Sequence, residues 1–436
     1  MPFQPMRTAS APSCMAQEGI NVKIQFMRLL SALIAASILF LTACSATSPP
    51  ATGSEENIIE ESKPISLEDF MADALETHSD RIRGLSLAVF TRDDIIFELQ
   101  YGLADTEASI EVDADTVFHW GSITKLLVYV SAMQLYERGE LDFHADIFSY
   151  IPAENFPKIR LPITMHQLIH HTAGIFDRTV PYFLDGRVPA GEAVPTLGDY
   201  LSNIFTEIDI QIAIPGMFVE YSNYGIALAG YVVERISGIP FYEYVHRYIF
   251  APLGMTHTAL RPDLSDNDWV AARRDEIRGY HRWGRLDMPR LQYPGYPTGW
   301  AVGTISDMIK FARALMPDEN GTSALFQNPD TMQRLFPTHE EIQYGGGYVL
   351  LGGVVFADRY GVIVQSNRIY NGFFVFSDKD DSNRVVGHSG QVPGFMSHML
   401  IDIDNGVGLI VVENMQFGLQ TIHEFTEGLI EILFRR

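Results

Sequence analysis

The chain has 436 residues, and its composition of 47% hydrophobic and 19% charged residues provides enough apolar side chains for a large core, which excludes a wholly disordered protein. Its formal net charge of −23 at pH 7 argues against a nucleic-acid partner and against electrostatic binding to an anionic membrane, because both need a basic surface. Its two cysteines are too few for a disulfide framework or a cysteine-rich zinc site.

The N-terminal region has the pattern of an export signal. Arg28 precedes an uncharged run over 29–43, which has the length of a signal-peptide hydrophobic region and is short for a membrane span. The run ends in Leu-Thr-Ala-Cys at 41–44, which resembles a bacterial lipobox, in which the cysteine is lipidated. We therefore predict a signal peptide over 1–43 and a lipid attached to Cys44, which would anchor an exported, periplasmic or otherwise extracytoplasmic protein to a bacterial membrane.

Two alternatives concern this region. An ordinary signal peptide cleaved after a small residue, or a short anchor that stays attached, would also fit the hydrophobic run. Residues 1–26 lack the pattern of the charged start of a signal peptide, so we predict that translation naturally begins at Met27.

A tether and a folded domain are predicted to follow the signal. Residues 44–64 are rich in Ser, Pro and Glu, a composition typical of flexible linkers. The domain spans 65–436, with strand patterns mainly at about 65–118 and 340–436 and helical patterns at about 119–339.

The elements of this domain begin with a helix after Ser66, where a sequence resembling a capping box precedes apolar residues at helical spacing. Strand-like runs at 84–90 and 95–101 are joined through 92–94 and predict a hairpin. Further helices are predicted over 122–138, 224–236, 241–250, 306–315 and 421–434. Further strands are predicted over 348–356, 360–365, 397–403 and 406–412, with an Asn-Gly turn at 405–406.

Strands at both ends of the domain and helices in its middle predict an α+β fold. Its antiparallel sheet would be built from distant segments, flanked by N- and C-terminal helices, and interrupted by a large all-helical insertion. A cleft between the sheet and the insertion is the expected place for a site. The sequence contains no G-x-S-x-G, no P-loop motif and no H-E-x-x-H, which argues against an α/β-hydrolase, a P-loop enzyme and a zincin.

The first chemical motif is Ser122-Ile123-Thr124-Lys125 at the start of a predicted helix. A spacing of three residues places Ser122 and Lys125 on one helical face. At the first turn of a helix the backbone N–H groups are free and favour an oxyanion. A buried lysine beside the serine loses charge and can act as its base. By itself the motif is better explained as a helix cap followed by a solvent-facing lysine.

Two more motifs follow in the chain. Tyr221-Ser222-Asn223 lies in a loop before a helix, where Tyr221 can relay a proton and Asn223 can orient Lys125 and a substrate amide. His388-Ser389-Gly390 lies on a predicted strand, where Gly390 permits close approach of a substrate to the backbone. In isolation the motif at 221–223 is better explained as a capping Asn beside a packed Tyr, and the motif at 388–390 also fits the end of a strand with a capped His.

In this order and spacing the three motifs resemble the penicillin-recognising serine hydrolases, specifically the class C β-lactamase-like family with its esterases and D-amino-acid peptidases. The resemblance covers about 65–436 and includes His-Thr-Ala-Gly-Ile at 171–175, and the stretches at 249–255 and 303–312. It implies a β-lactamase/transpeptidase-like fold, a sheet flanked by helices with an all-helical insertion, in agreement with the pattern above.

The resemblance also implies roles for individual residues. Ser122 would be the acylated nucleophile, and Lys125 and Tyr221 would share the general-base and general-acid work. Asn223 would position the substrate, and the backbone N–H groups of Ser122 and Gln391 would form the oxyanion hole.

The third motif departs from the β-lactamase pattern, because His388 stands where those enzymes have a lysine. Together with Gly390, His388 is predicted to bind substrate, and a histidine is mostly neutral at pH 7. This favours hydrolysis of an ester or amide of a small acyl or D-amino-acid substrate over β-lactamase or D,D-carboxypeptidase activity. A catalytically inactive binding protein on the same fold is the other alternative.

No cofactor is indicated by the sequence, and a metal site is not predicted. His166, His170 and His171 have a spacing found in metal sites, but no cysteine is near them and His171 belongs to the family-like segment. The expected partners are therefore the small ester, amide or D-amino-acid peptide substrate and, through Cys44, a membrane.

Overall fold

A computed structural model of the chain describes residues 66–78, 81–177, 186–217, 219–281, 284–286, 291–340, 369–376, 382–416, 429 and 432–433. The predicted signal peptide, Cys44, the tether, the strands at 348–356 and 360–365 and most of the helix at 421–434 lie outside these residues. Among the described residues, no helix combines the length and the hydrophobicity needed to cross a membrane.

The strands are β1 Gly84–Thr91, β2 Ile95–Asp105, β3 Ile110–Glu111, β4 Phe118–His119, β5 Val188–Pro189, β6 Thr258–Ala259, β7 Tyr280–His281, β8 Gly284–Arg285, β9 Leu291–Gln292, β10 Val302–Gly303, β11 Ile369–Tyr370, β12 Phe373–Val375, β13 Val385–Val392, β14 Phe395–Asp402, β15 Val407–Glu413 and β16 Met415–Gln416. The α-helices are α1 Leu67–His78, α2 Lys125–Glu137, α3 Met165–Ile169, α4 Leu197–Glu207, α5 Asn223–Ser237, α6 Phe241–Val245, α7 Asp268–Arg273, α8 Ile305–Ala314 and α9 Pro329–Leu335.

The main sheet joins the two ends of the domain. Its order is β11-β12-β13-β14-β15-β1-β2-β3, and all neighbouring strands are antiparallel. Strand β1 pairs with β15 far along the chain, with Leu85 opposite Glu413. The predicted hairpin β1–β2 and the Asn-Gly turn between β14 and β15 are both confirmed. The α+β fold with an antiparallel sheet is therefore confirmed.

The two faces of the sheet contribute to different cores, because side chains alternate along a strand. Leu87 and Val411 face one core together with Met71 of α1 and with Leu429. Phe90, Ile410 and Val412 face the larger core, which also contains residues of α2, α5 and α8. The middle of the chain is mainly helical. It also contains the short strands β4 to β10, which belong to small sheets separate from the main sheet.

Two of the predicted helices begin or end differently in the structure. The helix predicted over 122–138 begins with a 3₁₀ turn, Gly121–Thr124, and α2 starts only at Lys125. Gly121 has φ +52° in this turn, and the Thr124 hydroxyl donates a hydrogen bond of 2.7 Å to the Gly121 carbonyl. Contacts with Ala301 and Ser397, far along the chain, also hold the turn. The helix predicted over 241–250 ends in a π turn at His246–Phe250.

Candidate active site

Ser122 lies in a 3₁₀ turn that is held from two sides. Trp120 N–H donates to the Ala301 carbonyl (2.9 Å), and Ala301 N–H donates to Thr124 Oγ1 (3.1 Å). From the sheet, Ser397 Oγ on β14 donates to the Trp120 carbonyl (2.7 Å). These bonds fix the turn between the main sheet and the helical part, where the sequence predicted a cleft.

Lys125 is fully buried, with 0% of its surface exposed, and points at Ser122. Its Nζ donates to Ser122 Oγ (2.9 Å) and to the carbonyl of Thr298 (2.5 Å). Burial lowers the pKa of Lys125 from 10.5 to about 7, against the opposing effect of the Asp177 charge. Near neutral pH a large fraction of this amine is therefore uncharged and able to accept the Ser122 proton.

Tyr221 lies next to this pair. Lys125 Nζ is 5.0 Å from the centroid of the Tyr221 ring, and the His171 ring stacks on Tyr221 at a centroid distance of 4.5 Å. His171 also accepts a hydrogen bond from Ser222 N–H at Nδ1 (3.0 Å), and its carbonyl accepts one from Glu220 N–H (2.8 Å). The predicted motifs at 122–125, 171–175 and 221–223 thus meet in one place.

Sequence reasoning missed one partly buried acid in this region, Asp177. Its carboxylate accepts hydrogen bonds from Asn223 Nδ2 (2.8 Å) and from Asn223 N–H (2.7 Å), so the amide of Asn223 faces Asp177. The structure shows no hydrogen bond between Asn223 and Lys125 among the described residues, although the sequence had suggested that Asn223 orients this lysine. Asp177 left no signal in the sequence, because a single acid two residues beyond the 171–175 segment forms no pattern.

His388 lies on β13 and is only 1% exposed. Its ring centroid is 4.5 Å from that of Phe374 and 6.2 Å from that of Tyr221. Because a carbonyl can only accept, Nδ1 donates to the Ser389 carbonyl (2.6 Å), and Nε2 has no hydrogen-bond partner among the described residues. Burial, helped by the Lys125 charge, lowers the pKa of His388 to about 3, so this histidine is neutral at physiological pH.

Two glycines allow β13 to approach the serine turn. A Cβ on Gly121 would lie 2.5 Å from the Gln391 nitrogen, and a Cβ on Gly390 would lie 2.1 Å from the Trp120 carbonyl oxygen. Any side chain at these positions would force the two backbones apart. Ser122 and Gln391, the predicted oxyanion-hole residues, therefore belong to backbone segments in direct contact.

The histidines with metal-like spacing have other partners. His170 Nε2 accepts a hydrogen bond from Asn371 N–H (3.1 Å), and His170 Nδ1 donates to the His166 carbonyl (2.8 Å). In the described part of the chain, no three His, Cys, Asp or Glu side chains are grouped so that they could hold a metal ion. His171 packs in the serine site instead.

With this geometry established, comparison with known proteins identifies the family. The family model named Beta-lactamase matches residues 67–421, most of the chain. The chain belongs to the beta-lactamase family. The resemblance deduced from the three motifs is therefore confirmed, and this beta-lactamase family protein shares its fold with serine hydrolases that include penicillin-binding proteins.

Individual relatives of this beta-lactamase family protein are distant. It is 22% identical over 351 residues to penicillin-binding protein 4* of Bacillus subtilis, covering 78% of this chain and 70% of that one. It is 25% identical over 258 residues to penicillin-binding protein 4 of Amycolatopsis lactamdurans, covering 56% and 62%. The matches to three curated relatives span 60% to 70% of those relatives' lengths.

Among solved structures, the D-amino acid amidase of Ochrobactrum anthropi SV3 superposes with a TM-score of 0.62. The superposition covers 83% of this chain and 98% of the amidase, at 22% sequence identity. At this identity the likeness supports the shared fold, and the substrate of the beta-lactamase family protein has to be argued from its own site.

Proposed function

We propose that this protein is a serine hydrolase that cleaves an ester or amide of a small acyl or D-amino-acid substrate through an acyl-enzyme on Ser122. The observation that carries the proposal is the 2.9 Å hydrogen bond between Ser122 Oγ and the fully buried Lys125, whose pKa lies at about 7. A lysine that is partly uncharged at neutral pH can activate a serine, whereas one with an ordinary pKa cannot.

The proposed reaction starts with transfer of the Ser122 proton to Lys125 while Oγ attacks the substrate carbonyl. The backbone N–H groups of Ser122 and Gln391 stabilise the oxyanion, and one such donor is typically worth about 10²–10³ in rate. Tyr221, next to Lys125, passes the proton to the leaving group. Water then attacks the acyl-enzyme with the same groups acting in reverse, which releases the acid and restores Ser122.

Because His388 is neutral, we expect the substrate group that binds beside it to be uncharged. Where β-lactamases have a permanent cation, this chain has a buried histidine with a pKa of about 3. Among the described residues, the cation that acts on both His171 and His388 is Lys125, and no arginine contributes. A site of this kind lacks a fixed charge for a substrate carboxylate, which favours esters and amides.

The relatives favour a second candidate, D,D-carboxypeptidase or β-lactamase activity, because two of them are named penicillin-binding proteins. An inactive binding protein on the same fold is less well supported, because the Ser122–Lys125 pair is intact and hydrogen-bonded.

A panel of substrates separates these candidates. We expect the purified protein to hydrolyse p-nitrophenyl butyrate or a D-amino-acid amide with a kcat/KM at least about 100-fold above that for a chromogenic cephalosporin or a D-Ala-D-Ala peptide. A preference for the cephalosporin or the peptide would favour the second candidate. Activity on none of them, with no labelling by a fluorescent penicillin, would favour a binding protein.

We further propose that the protein is exported and anchored through a lipid on Cys44, which is supported by the lipobox-like sequence at 41–44. In bacterial cells fed radiolabelled palmitate, we expect the label on the wild type and not on Cys44→Ser, and the variant should leave the membrane fraction. An unlabelled wild type would contradict this proposal.

A further inference from the structure

Asp177 is a partly buried carboxylate that the proposed mechanism does not use directly. Its Oδ1 accepts hydrogen bonds from Ser222 Oγ (2.9 Å) and Tyr224 N–H (3.3 Å). Its Oδ2 accepts hydrogen bonds from the backbone N–H (2.7 Å) and the side-chain amide (2.8 Å) of Asn223. One carboxylate therefore binds three consecutive residues at the start of α5, directly after Tyr221.

These contacts indicate that Asp177 is ionised. All four partners donate, and only a deprotonated carboxylate can accept at both oxygens without offering a proton of its own. Burial raises the pKa of Asp177, while the hydrogen bonds from 222–224 oppose that rise. The N-terminal end of the 15-residue helix α5 also favours a negative charge at this place.

The charge of Asp177 acts on Lys125. The other groups around this lysine among the described residues include the Ser122 hydroxyl, the Thr298 carbonyl and the Tyr221 ring, none of which is charged near neutral pH. His171 and His388 also lie here, and burial lowers their pKa values so that both rings are neutral. Among the described residues, Asp177 is the charge that raises the pKa of Lys125 against burial. Loss of this carboxylate would therefore leave the buried amine without its counter-charge.

We propose that Asp177 is a positioning residue that holds the 221–223 loop against Lys125 and supplies the counter-charge of that lysine. The inference rests on the proposed function, because it assigns Asp177 a part in activating Ser122. It also explains why the carboxylate is bound to the chain segment that carries Tyr221 and Asn223.

The test measures how fast Ser122 reacts with a fluorophosphonate between pH 5 and 10, followed by intact mass. In this reaction the Ser122 Oγ–phosphorus bond forms, fluoride leaves, and the serine proton passes to the base, so no natural substrate is needed. The proteins compared are the wild type, Asp177→Asn, Asp177→Glu and Asp266→Asn. Asp266 is a matched control, because it is also partly buried and accepts hydrogen bonds from Leu260 N–H, Arg261 N–H and His246.

We expect Asp177→Asn to react about 10- to 100-fold more slowly, because the 221–223 loop is no longer held against Lys125. The acid limb of its pH profile should move by about one unit to lower pH, because Lys125 loses an opposite charge. Asp177→Glu should return the acid limb of the pH profile to its wild-type position. Asp266→Asn should leave both the reaction rate and the position of the acid limb unchanged. If Asp177→Asn does not react at all, recovery in Asp177→Glu supports the proposal and its absence overturns it.

Two other results would overturn the inference. Asp177→Asn could react at the wild-type rate with the acid limb of its pH profile in the wild-type position. It could also react more slowly with the acid limb unmoved, which would indicate a purely structural role. Failure of the wild type itself to react would count against the proposed function instead. Circular dichroism and thermal unfolding of each variant separate loss of folding from loss of reactivity.

Discussion

Ser122→Ala is expected to lower kcat by about 10⁴-fold or more on the best ester substrate, because the variant has no nucleophile to form the acyl-enzyme. Its fold should stay intact, since the Ser122 side chain contributes one hydrogen bond, to Lys125, and the turn is held by Trp120, Thr124 and Ser397. Steady-state kinetics and the thermal unfolding midpoint are the measurements.

A matched control for this variant lies nine residues further along the chain, in α2. Ser131 is buried and donates to the Leu127 carbonyl (2.6 Å), so Ser131→Ala also removes one serine hydroxyl with a hydrogen bond. It should retain the activity of the wild type. Retained activity in Ser122→Ala would show that a different residue is the nucleophile and would remove the basis of the proposed function.

Lys125→Met is expected to have the second-largest effect, a loss of about 10³-fold or more in kcat with little change in ground-state binding. Methionine keeps the length and the apolar stem of the side chain but cannot take the serine proton. Lys310→Met is the control, because Lys310 is partly exposed and pairs with Asp307 on α8. It should leave kcat unchanged, and an equal loss in both variants would contradict the role of Lys125.

Lys125→Met is also expected to stabilise the protein. In the unfolded chain Lys125 titrates near 10.5, and in the folded protein near 7, so between these values the unfolded chain holds the extra proton. The wild type therefore gains stability as the pH rises through this window. Lys125→Met should gain on the order of 2–4 kcal/mol in free energy of unfolding below pH 7, and the gain should shrink towards pH 10.5. Urea unfolding at several pH values measures this, and a gain independent of pH would contradict the burial of a titrating amine.

Elements that have a local pattern in the sequence could be predicted from it. The largely apolar strands β1, β14 and β15 and the Asn-Gly turn carry their own local signals, and the three-residue spacing of Ser122 and Lys125 is a property of helical backbone. The structure agrees with these predictions, since Lys125 Nζ reaches Ser122 Oγ.

Features that depend on distant contacts could not be predicted in the same way. The 3₁₀ turn at Gly121–Thr124 arises from a positive φ at Gly121 and from contacts with Ala301 and Ser397, far along the chain. Asp177 gave no signal because its partners lie 45 to 47 residues further on and a single acid forms no pattern. The depressed pKa of Lys125 results from complete burial, which only the assembled core determines.

The measurement that tests the central claim most directly is the intact mass of the protein during turnover of p-nitrophenyl butyrate, with Ser122→Ala beside the wild type. The account predicts a transient butyryl adduct in the wild type that maps to Ser122 and decays as product accumulates, and no adduct in the variant. Turnover without an adduct on Ser122, or an adduct of equal size in Ser122→Ala, would contradict an acyl-enzyme on this serine.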